Sequence, residues 1–290
     1  MAAQLRSTEN FLGWWRPHSL FGKARRNLLL SLLVLTCGAW ALTLYYAVEM
    51  GAPVGTAMTG GMSADAMAGM ESMAGMAMGG MSAAGWSFSG AVVFVAIWTV
   101  MMAAMMLPAA APMIMIFASA QARRGQAAFV PTWIFVAGYL LVWLMAGVIV
   151  YVIIEIATET ANHLGSVEKG AWAPIALGII LIMAGVYQFT PIKRVCLRHC
   201  RSPFAFVAMH WRDGRLGAVQ MGVVHGIFCL GCCWALFAVL VAAGTMSLAW
   251  MLALTLVVFA EKVLPMARLI SPPIGIALVI LGLALSVSAV

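Results

Sequence analysis

The chain has 290 residues, of which 64% are hydrophobic and 9% are charged, and its net charge is +7. Soluble domains carry about 25% charged residues, so this composition excludes a soluble globular protein and is typical of a protein with several membrane-spanning helices. The positive charge does not indicate nucleic-acid binding, because the basic residues fall in short segments between apolar stretches, where they set membrane orientation.

Seven apolar segments follow one another along the chain. Each is near the roughly 20 residues that a helix needs to cross the hydrocarbon of a bilayer. These segments are 28–48, 89–108, 129–154, 172–190, 217–242, 248–265 and 272–290. The sequence therefore predicts an all-α polytopic membrane protein with about seven transmembrane helices. We expect it to lie in the lipid bilayer of the inner (cytoplasmic) membrane.

The lysines and arginines are distributed asymmetrically between the two ends of these segments. With the N-terminus in the cytoplasm, all but one of the 16 basic residues lie on the cytoplasmic side, the exception being Lys169. An excess of this kind marks cytoplasmic loops. The sequence therefore predicts a cytoplasmic N-terminus and an extracytoplasmic C-terminus. Its expected parts are a basic cytoplasmic segment 1–27, a first transmembrane helix 28–48, an extracytoplasmic loop 49–88 and a transmembrane bundle 89–290 that holds a metal site.

The loop 49–88 is rich in methionine, glycine and alanine. Four of its methionines recur at every third position, namely Met67, Met70, Met73 and Met76. Thioethers stay uncharged and bind Cu(I), which makes these four residues candidate ligands that would capture copper outside the cytoplasm. The alternative is a low-complexity spacer without a function of its own.

The second apolar segment is also rich in methionine and is followed by two prolines. Met101 and Met105 share one helical face with Pro108 and Pro112. A proline removes a backbone hydrogen bond, which a membrane tolerates only where neighbouring protein or a cavity satisfies the freed carbonyl. This pattern favours a kinked helix whose methionines are candidate ligands for a soft ion, although adaptable packing also explains a methionine stripe.

A group of thiols and imidazole follows the fourth apolar segment. Cys196, His199 and Cys200 have the i, i+3, i+4 spacing that places three side chains on one helical turn. The group lies at the expected cytoplasmic boundary, and we interpret it as a site where metal is exchanged. The alternative is a basic loop that holds two reduced cysteines.

The fifth apolar segment carries the most informative pattern in the chain. Met221, His225, Cys229 and Cys232 fall within roughly 80° of one another on a helix, and Cys233 lies just beside them. Imidazole, thiolate and thioether together suit Cu(I), with zinc as the second possibility. The sequence predicts an interior metal site here, whereas the competing interpretation is that the cysteines are small packing residues.

The sixth apolar segment contains one carboxylate, Glu261, beside Lys262. An ionisable residue within a membrane segment is a candidate functional residue by default. Its position near the cytoplasmic end of the segment also favours an ion pair with an arginine of another loop. The sequence leaves these two alternatives open.

The chain resembles a bacterial family of integral membrane proteins that are predicted to bind metal and otherwise have no known function. The resemblance rests on two patterns, Tyr-Gln-x-Thr-Pro-x-Lys-x-x-Cys-Leu starting at Tyr187 and His-Gly-x-x-Cys-x-Gly-Cys-Cys-Trp starting at His225. It covers roughly residues 90–268. It implies a membrane protein with a metal site in these patterns, and it does not extend to the methionine-rich loop.

These features favour a membrane protein that handles a metal, binding Cu(I) through methionine, cysteine and histidine. It would either transport the ion or deliver it to a metalloprotein or a membrane complex. No ATP-binding motif and no catalytic residues are found, so an enzyme is disfavoured.

Two other functions are compatible with parts of the pattern. The chain could be a structural or accessory subunit of a larger membrane complex. A membrane thiol–disulfide oxidoreductase is less favoured, because no cysteine lies in an expected extracytoplasmic loop and a disulfide between the adjacent Cys232 and Cys233 would be strained.

Overall fold

A computed structural model describes residues 21–49, 88–123, 129–162, 166–242, 248–264 and 267–288. Over these ranges the chain forms nine helices and no strand, which confirms the all-α prediction. In chain order they are α1 Phe21–Glu49, α2 Phe88–Arg123, α3 Phe129–Asn162, α4 Ser166–Tyr187, α5 Pro191–Arg201, α6 Pro203–His210, α7 Gly214–Ala242, α8 Leu248–Val263 and α9 Ala267–Ser288. The candidate ligands Met67, Met70, Met73 and Met76 lie outside the described residues.

Five of these helices, α1, α2, α3, α7 and α9, are long and apolar enough to cross a membrane. A sixth span arises if α4 and α5, which are bent by 64° relative to each other, are counted as one. The described helices are therefore compatible with a membrane protein, but the predicted number of seven spans is not confirmed.

Two of the predicted segments account for this difference. Segment 248–265 corresponds to α8, which has only 16 residues and ends with two buried charged residues, Glu261 and Lys262. Segment 172–190 is interrupted because α4 ends at Tyr187 and a new helix starts at Pro191. The Thr190 hydroxyl caps this new helix by accepting a hydrogen bond from the Lys193 backbone nitrogen at 3.3 Å.

The helices α2 and α7 form the buried centre of the bundle. Helix α7 packs against α3, α4 and α5, and α2 packs against α1, α3, α6 and α8. Glycines allow α3 and α7 to approach closely, since a Cβ atom at Gly138 would lie only 2.5 Å from the carbonyl oxygen of Val219. The Trp98 indole of α2 donates a hydrogen bond to the Trp143 carbonyl of α3 at 3.1 Å. These contacts hold α3 against both α2 and α7, which positions the residues described next.

Candidate metal centre

Helix α7 buries every candidate ligand that the sequence predicts on it. The structure buries all five of them, which are Met221, His225, Cys229, Cys232 and Cys233. The Cys232 and Cys233 thiols donate hydrogen bonds to the Cys229 carbonyl oxygen, at 3.1 and 2.9 Å. Cys233, expected just beside the predicted face, thus lies against the same carbonyl as Cys232.

Helix α5 adds a fourth thiol to this group. The Cys200 side chain lies close enough to interact with the thiols of Cys229 and Cys232. The sequence placed Cys200 in a separate boundary site, whereas the structure brings it to the cysteines of α7. We call Cys200, Cys229, Cys232 and Cys233 the thiol cluster.

The other two residues of the predicted boundary site do not join the thiol cluster in the same way. Cys196 lies against α7 at Gly231, where an added Cβ atom would be 2.9 Å from the Cys196 sulfur. His199 bonds through Nδ1 to the Val195 carbonyl of its own helix at 2.9 Å, and its ring stacks on Phe228. The i, i+3, i+4 spacing is present on α5, but its three side chains have different neighbours.

Cys229 is the most heavily contacted thiol of the cluster. The Lys262 ammonium donates a hydrogen bond to its sulfur at 2.9 Å, and the Tyr139 hydroxyl lies 3.0 Å from the same sulfur. The same ammonium lies 3.7 Å from the thioether sulfur of Met106. The side chains of Cys229, Lys262, Tyr139 and Met106 are all buried. The positive charge of Lys262 therefore acts on Cys229 with little screening by water.

His225 lies one helical turn before Cys229 and is only 2% exposed. Its ring is stacked near those of Phe135 and Tyr139, with centroids 6.1 and 5.6 Å away, and meets Phe206 edge-on. Among the described residues, no hydrogen-bond partner reaches its Nδ1 atom. A buried polar atom without a partner costs about 1–3 kcal/mol, so this nitrogen is available to a ligand.

The methionines of α2 line the neighbouring interior. Both predicted ligands, Met101 and Met105, are buried, as are Met102 and Met106. Met106 is the one that shares a contact with the thiol cluster, through the Lys262 ammonium. Met101 and Met105 stay predicted ligands, and the sequence did not single out Met106, whose sulfur contacts the Lys262 ammonium.

The donor set is present, but it is not arranged as a closed coordination sphere. Over the ranges that the structure describes, no three histidine, cysteine, aspartate or glutamate side chains surround a point suited to a metal ion. The thiols of Cys232 and Cys233 instead point at a backbone carbonyl. The side chains would have to turn before they could share an ion.

A second buried charge pair joins α5 to α8, where Glu261 directly precedes Lys262. The Lys193 ammonium lies 2.8 Å from both carboxylate oxygens of Glu261, and it also donates to the Gln188 side chain. The Ser271 hydroxyl donates to the same carboxylate at 2.8 Å. The ion pair, one of the two alternatives left open for Glu261, is thus present, but its partner is a lysine of α5 and not an arginine. Lys193 is the lysine of the Tyr-Gln-x-Thr-Pro-x-Lys-x-x-Cys-Leu pattern that starts at Tyr187. Its place in that pattern was the one sequence feature that could have marked it as a functional residue.

Comparison with known families is consistent with this chemistry. A sequence model of the PpoB2 family, described as copper chaperone, matches residues 95–285, which include the thiol cluster, His225 and the methionines of α2. No curated protein and no solved structure matches the chain. The match covers more than half of the chain, and its description is more specific than the metal-binding character that the sequence patterns alone indicate. The chain therefore belongs to the PpoB2 family of copper chaperones.

Proposed function

We propose that this protein is a chaperone embedded in the inner membrane, which binds Cu(I) at the thiol cluster and delivers it to a partner metalloprotein. Family membership supports copper as the cargo. The long apolar helices support the membrane location. The ligands and the oxidation state of the copper are our proposal.

The observation that carries this proposal is the meeting of Cys200 with Cys229 and Cys232. These thiols come from two different helices, and the partly buried Cys200 lies against the buried Cys229 and Cys232 in an interior that is also rich in methionine. Thiolates and thioethers are the ligands that select Cu(I). A site assembled from two helices depends on the fold, which suits an ion that must be held firmly and released only to the correct partner.

Charge balance is the second support. A thiol must lose its proton to bind a metal, so Cu(I) held by two thiolates forms a complex of net charge −1. Burying that charge without a partner would be costly. The Lys262 ammonium, 2.9 Å from the Cys229 sulfur, compensates it. On loading, the Cys232 thiol would leave the Cys229 carbonyl, and each ligating thiol would release one proton.

The remaining predicted ligands have subsidiary places in this proposal. His225 offers its unpartnered nitrogen one turn from Cys229. Met101, Met105 and Met221 supply thioethers from the surrounding interior, and Cys196 lies at its edge. Met67, Met70, Met73 and Met76 remain candidates for capture outside the cytoplasm. Zinc is the alternative metal for the same thiols.

The test is the copper content of protein purified in detergent under anaerobic, reducing conditions. We expect stoichiometric copper in the wild type and its loss in Cys200→Ser and in the double variant Cys229→Ser/Cys232→Ser. Cys37→Ser is the matched control, because Cys37 is exposed on α1. X-ray absorption on the loaded protein should show sulfur neighbours.

Three results would contradict the proposal. A folded wild type that binds no copper would remove the chaperone function and favour a structural subunit. Copper that survives in both cluster variants would place the site elsewhere. Zinc bound preferentially at the same thiols would replace copper as the cargo.

A further inference from the structure

Two half-buried histidines lie outside the thiol cluster, at the ends of the short helices α5 and α6. The rings of His199 and His210 face each other nearly at right angles, with centroids 6.4 Å apart. Each ring is stacked on a phenylalanine, His199 on Phe228 at 4.1 Å and His210 on Phe206 at 4.6 Å. We infer that His199 and His210 form a second copper site, through which the ion passes between the thiol cluster and the partner protein. This inference rests on the proposed function.

Hydrogen bonds to the backbone fix the same tautomer in both rings. The Nδ1 atom of His199 lies 2.9 Å from the Val195 carbonyl, and that of His210 lies 3.2 Å from the Phe206 carbonyl. Since a carbonyl oxygen only accepts, each Nδ1 carries a proton, and in the neutral ring each Nε2 then keeps its lone pair. This is the arrangement found in metal-binding histidines, whose other ring nitrogen donates to a carbonyl or carboxylate.

The separation of the two rings agrees with a shared ion. With a metal–nitrogen distance of about 2.0 Å and a centroid roughly 1.1 Å behind the nitrogen, two rings on opposite sides of one ion have centroids about 6.2 Å apart. The observed separation is 6.4 Å. Cu(I) accepts two nitrogen donors on opposite sides, and imidazole is a suitable ligand for copper. The separation of the rings is therefore compatible with one ion shared between the two Nε2 atoms.

The phenylalanines connect this pair to the interior. Phe206 contacts His210 on one side and His225 on the other, with a centroid distance of 5.5 Å to the latter. Phe228 precedes Cys229 in α7 and stacks on His199. One aromatic side chain, Phe206, thus separates His210 from His225. Two neutral imidazoles hold Cu(I) less firmly than thiolates do. A weaker site next to the thiol cluster would let the ion be exchanged with the partner protein.

The experiment is an anaerobic titration with Cu(I), buffered by a chromophoric Cu(I) chelator, on the full chain in detergent. We expect two classes of site in the wild type. His199→Gln and His210→Gln should each abolish the weaker class, leave the copper held by the thiol cluster unchanged and slow its removal by excess chelator. Arg198→Gln, an exposed neighbour of His199, is the matched control and should behave as the wild type.

The outcomes separate this inference from the proposed function. If the thiol-bound copper is present but the histidine variants keep both the weaker class and the rate of removal, the second site is refuted and the chaperone proposal stands. If the wild type shows only the weaker class, and it is lost in the histidine variants, the second site stands and the thiol site fails. Retention of thiol-bound copper also shows that each histidine variant is folded.

Discussion

The Lys262 ammonium lies 2.9 Å from the Cys229 sulfur, and both side chains are buried. A hydrophobic helix gains nothing from a lysine in its interior, since burying an unpaired ammonium is strongly unfavourable. The contact is therefore best explained by negative charge on the sulfur cluster, either in the thiolates themselves or in their complex with Cu(I). The first prediction follows from this charge balance.

Replacing Lys262 with methionine should weaken Cu(I) binding by about tenfold or more, which corresponds to roughly 1.4 kcal/mol. The complex of Cu(I) with two thiolates is anionic, and among the described residues Lys262 is the only cation in contact with Cys229. The substitution removes this compensating charge. The measurement is competition with a Cu(I) chelator. Lys262→Arg keeps the charge and should retain most of the affinity. Equal affinities for Lys262→Met and the wild type would show that the ammonium does not stabilise the complex.

Replacing His225 with leucine tests whether His225 is a copper ligand or only a packing residue. The substitution removes a buried nitrogen that has no partner in the described part of the chain, so the free energy of unfolding should stay constant or rise by about 1 kcal/mol. Cu(I) affinity should fall, because a donor is lost. Unfolding in detergent and chelator competition measure the two quantities. A variant that loses stability and keeps its copper would make His225 a packing residue.

The sequence was informative about features that depend on one helix at a time. Composition and apolar segments predicted an all-helical chain, and the 100° rotation per residue predicted the common face of His225, Cys229 and Cys232. Their burial was predicted in the same way. Thr190 and Pro191 also carried a readable signal for a helix start, yet the predicted segment 172–190 ran past Tyr187, because hydropathy alone does not register the 64° bend.

Features that depend on two helices could not be predicted. Lys262 and Cys229 are 33 residues apart, and Lys193 and Glu261 are 68 apart. Helix packing decides such pairs, and a single sequence does not specify which faces meet. For the same reason, Cys200 and His199 were assigned to one site, although the first turns toward α7 thiols and the second toward Phe228. The charge asymmetry placed Lys193 and Lys262 on the cytoplasmic side, and it gave no indication that the structure buries both of them.

The buried Lys193–Glu261 pair should be essential only as a pair. Lys193→Met alone leaves the Glu261 carboxylate without its ammonium, and it should cost about 3–5 kcal/mol of unfolding free energy. The double variant Lys193→Met/Glu261→Leu should recover most of this loss, because neither charge then remains buried alone. The measurement is a double-mutant cycle by unfolding in detergent. Additive losses would show that the two residues do not act on each other.

Close packing of α3 against α7 provides the last prediction. A Cβ atom at Gly222 would collide with the Phe135 carbonyl oxygen and lie 3.0 Å from the Tyr139 backbone nitrogen. Both atoms belong to the backbone, so the helices themselves must separate. Gly222→Ala should therefore cost about 1–3 kcal/mol in stability. It should also weaken copper binding, because Tyr139 contacts the Cys229 sulfur.

Gly38→Ala is the matched control for this substitution. Gly38 also lies within a helix, but a Cβ atom there meets nothing within 4 Å among the described residues. Alanine has the higher helix propensity by about 1 kcal/mol, so this variant should be as stable as the wild type or more stable. Unfolding in detergent and chelator competition on both variants complete the test. If Gly222→Ala matched Gly38→Ala in stability and copper affinity, the α3–α7 separation would not control the geometry of the thiol cluster.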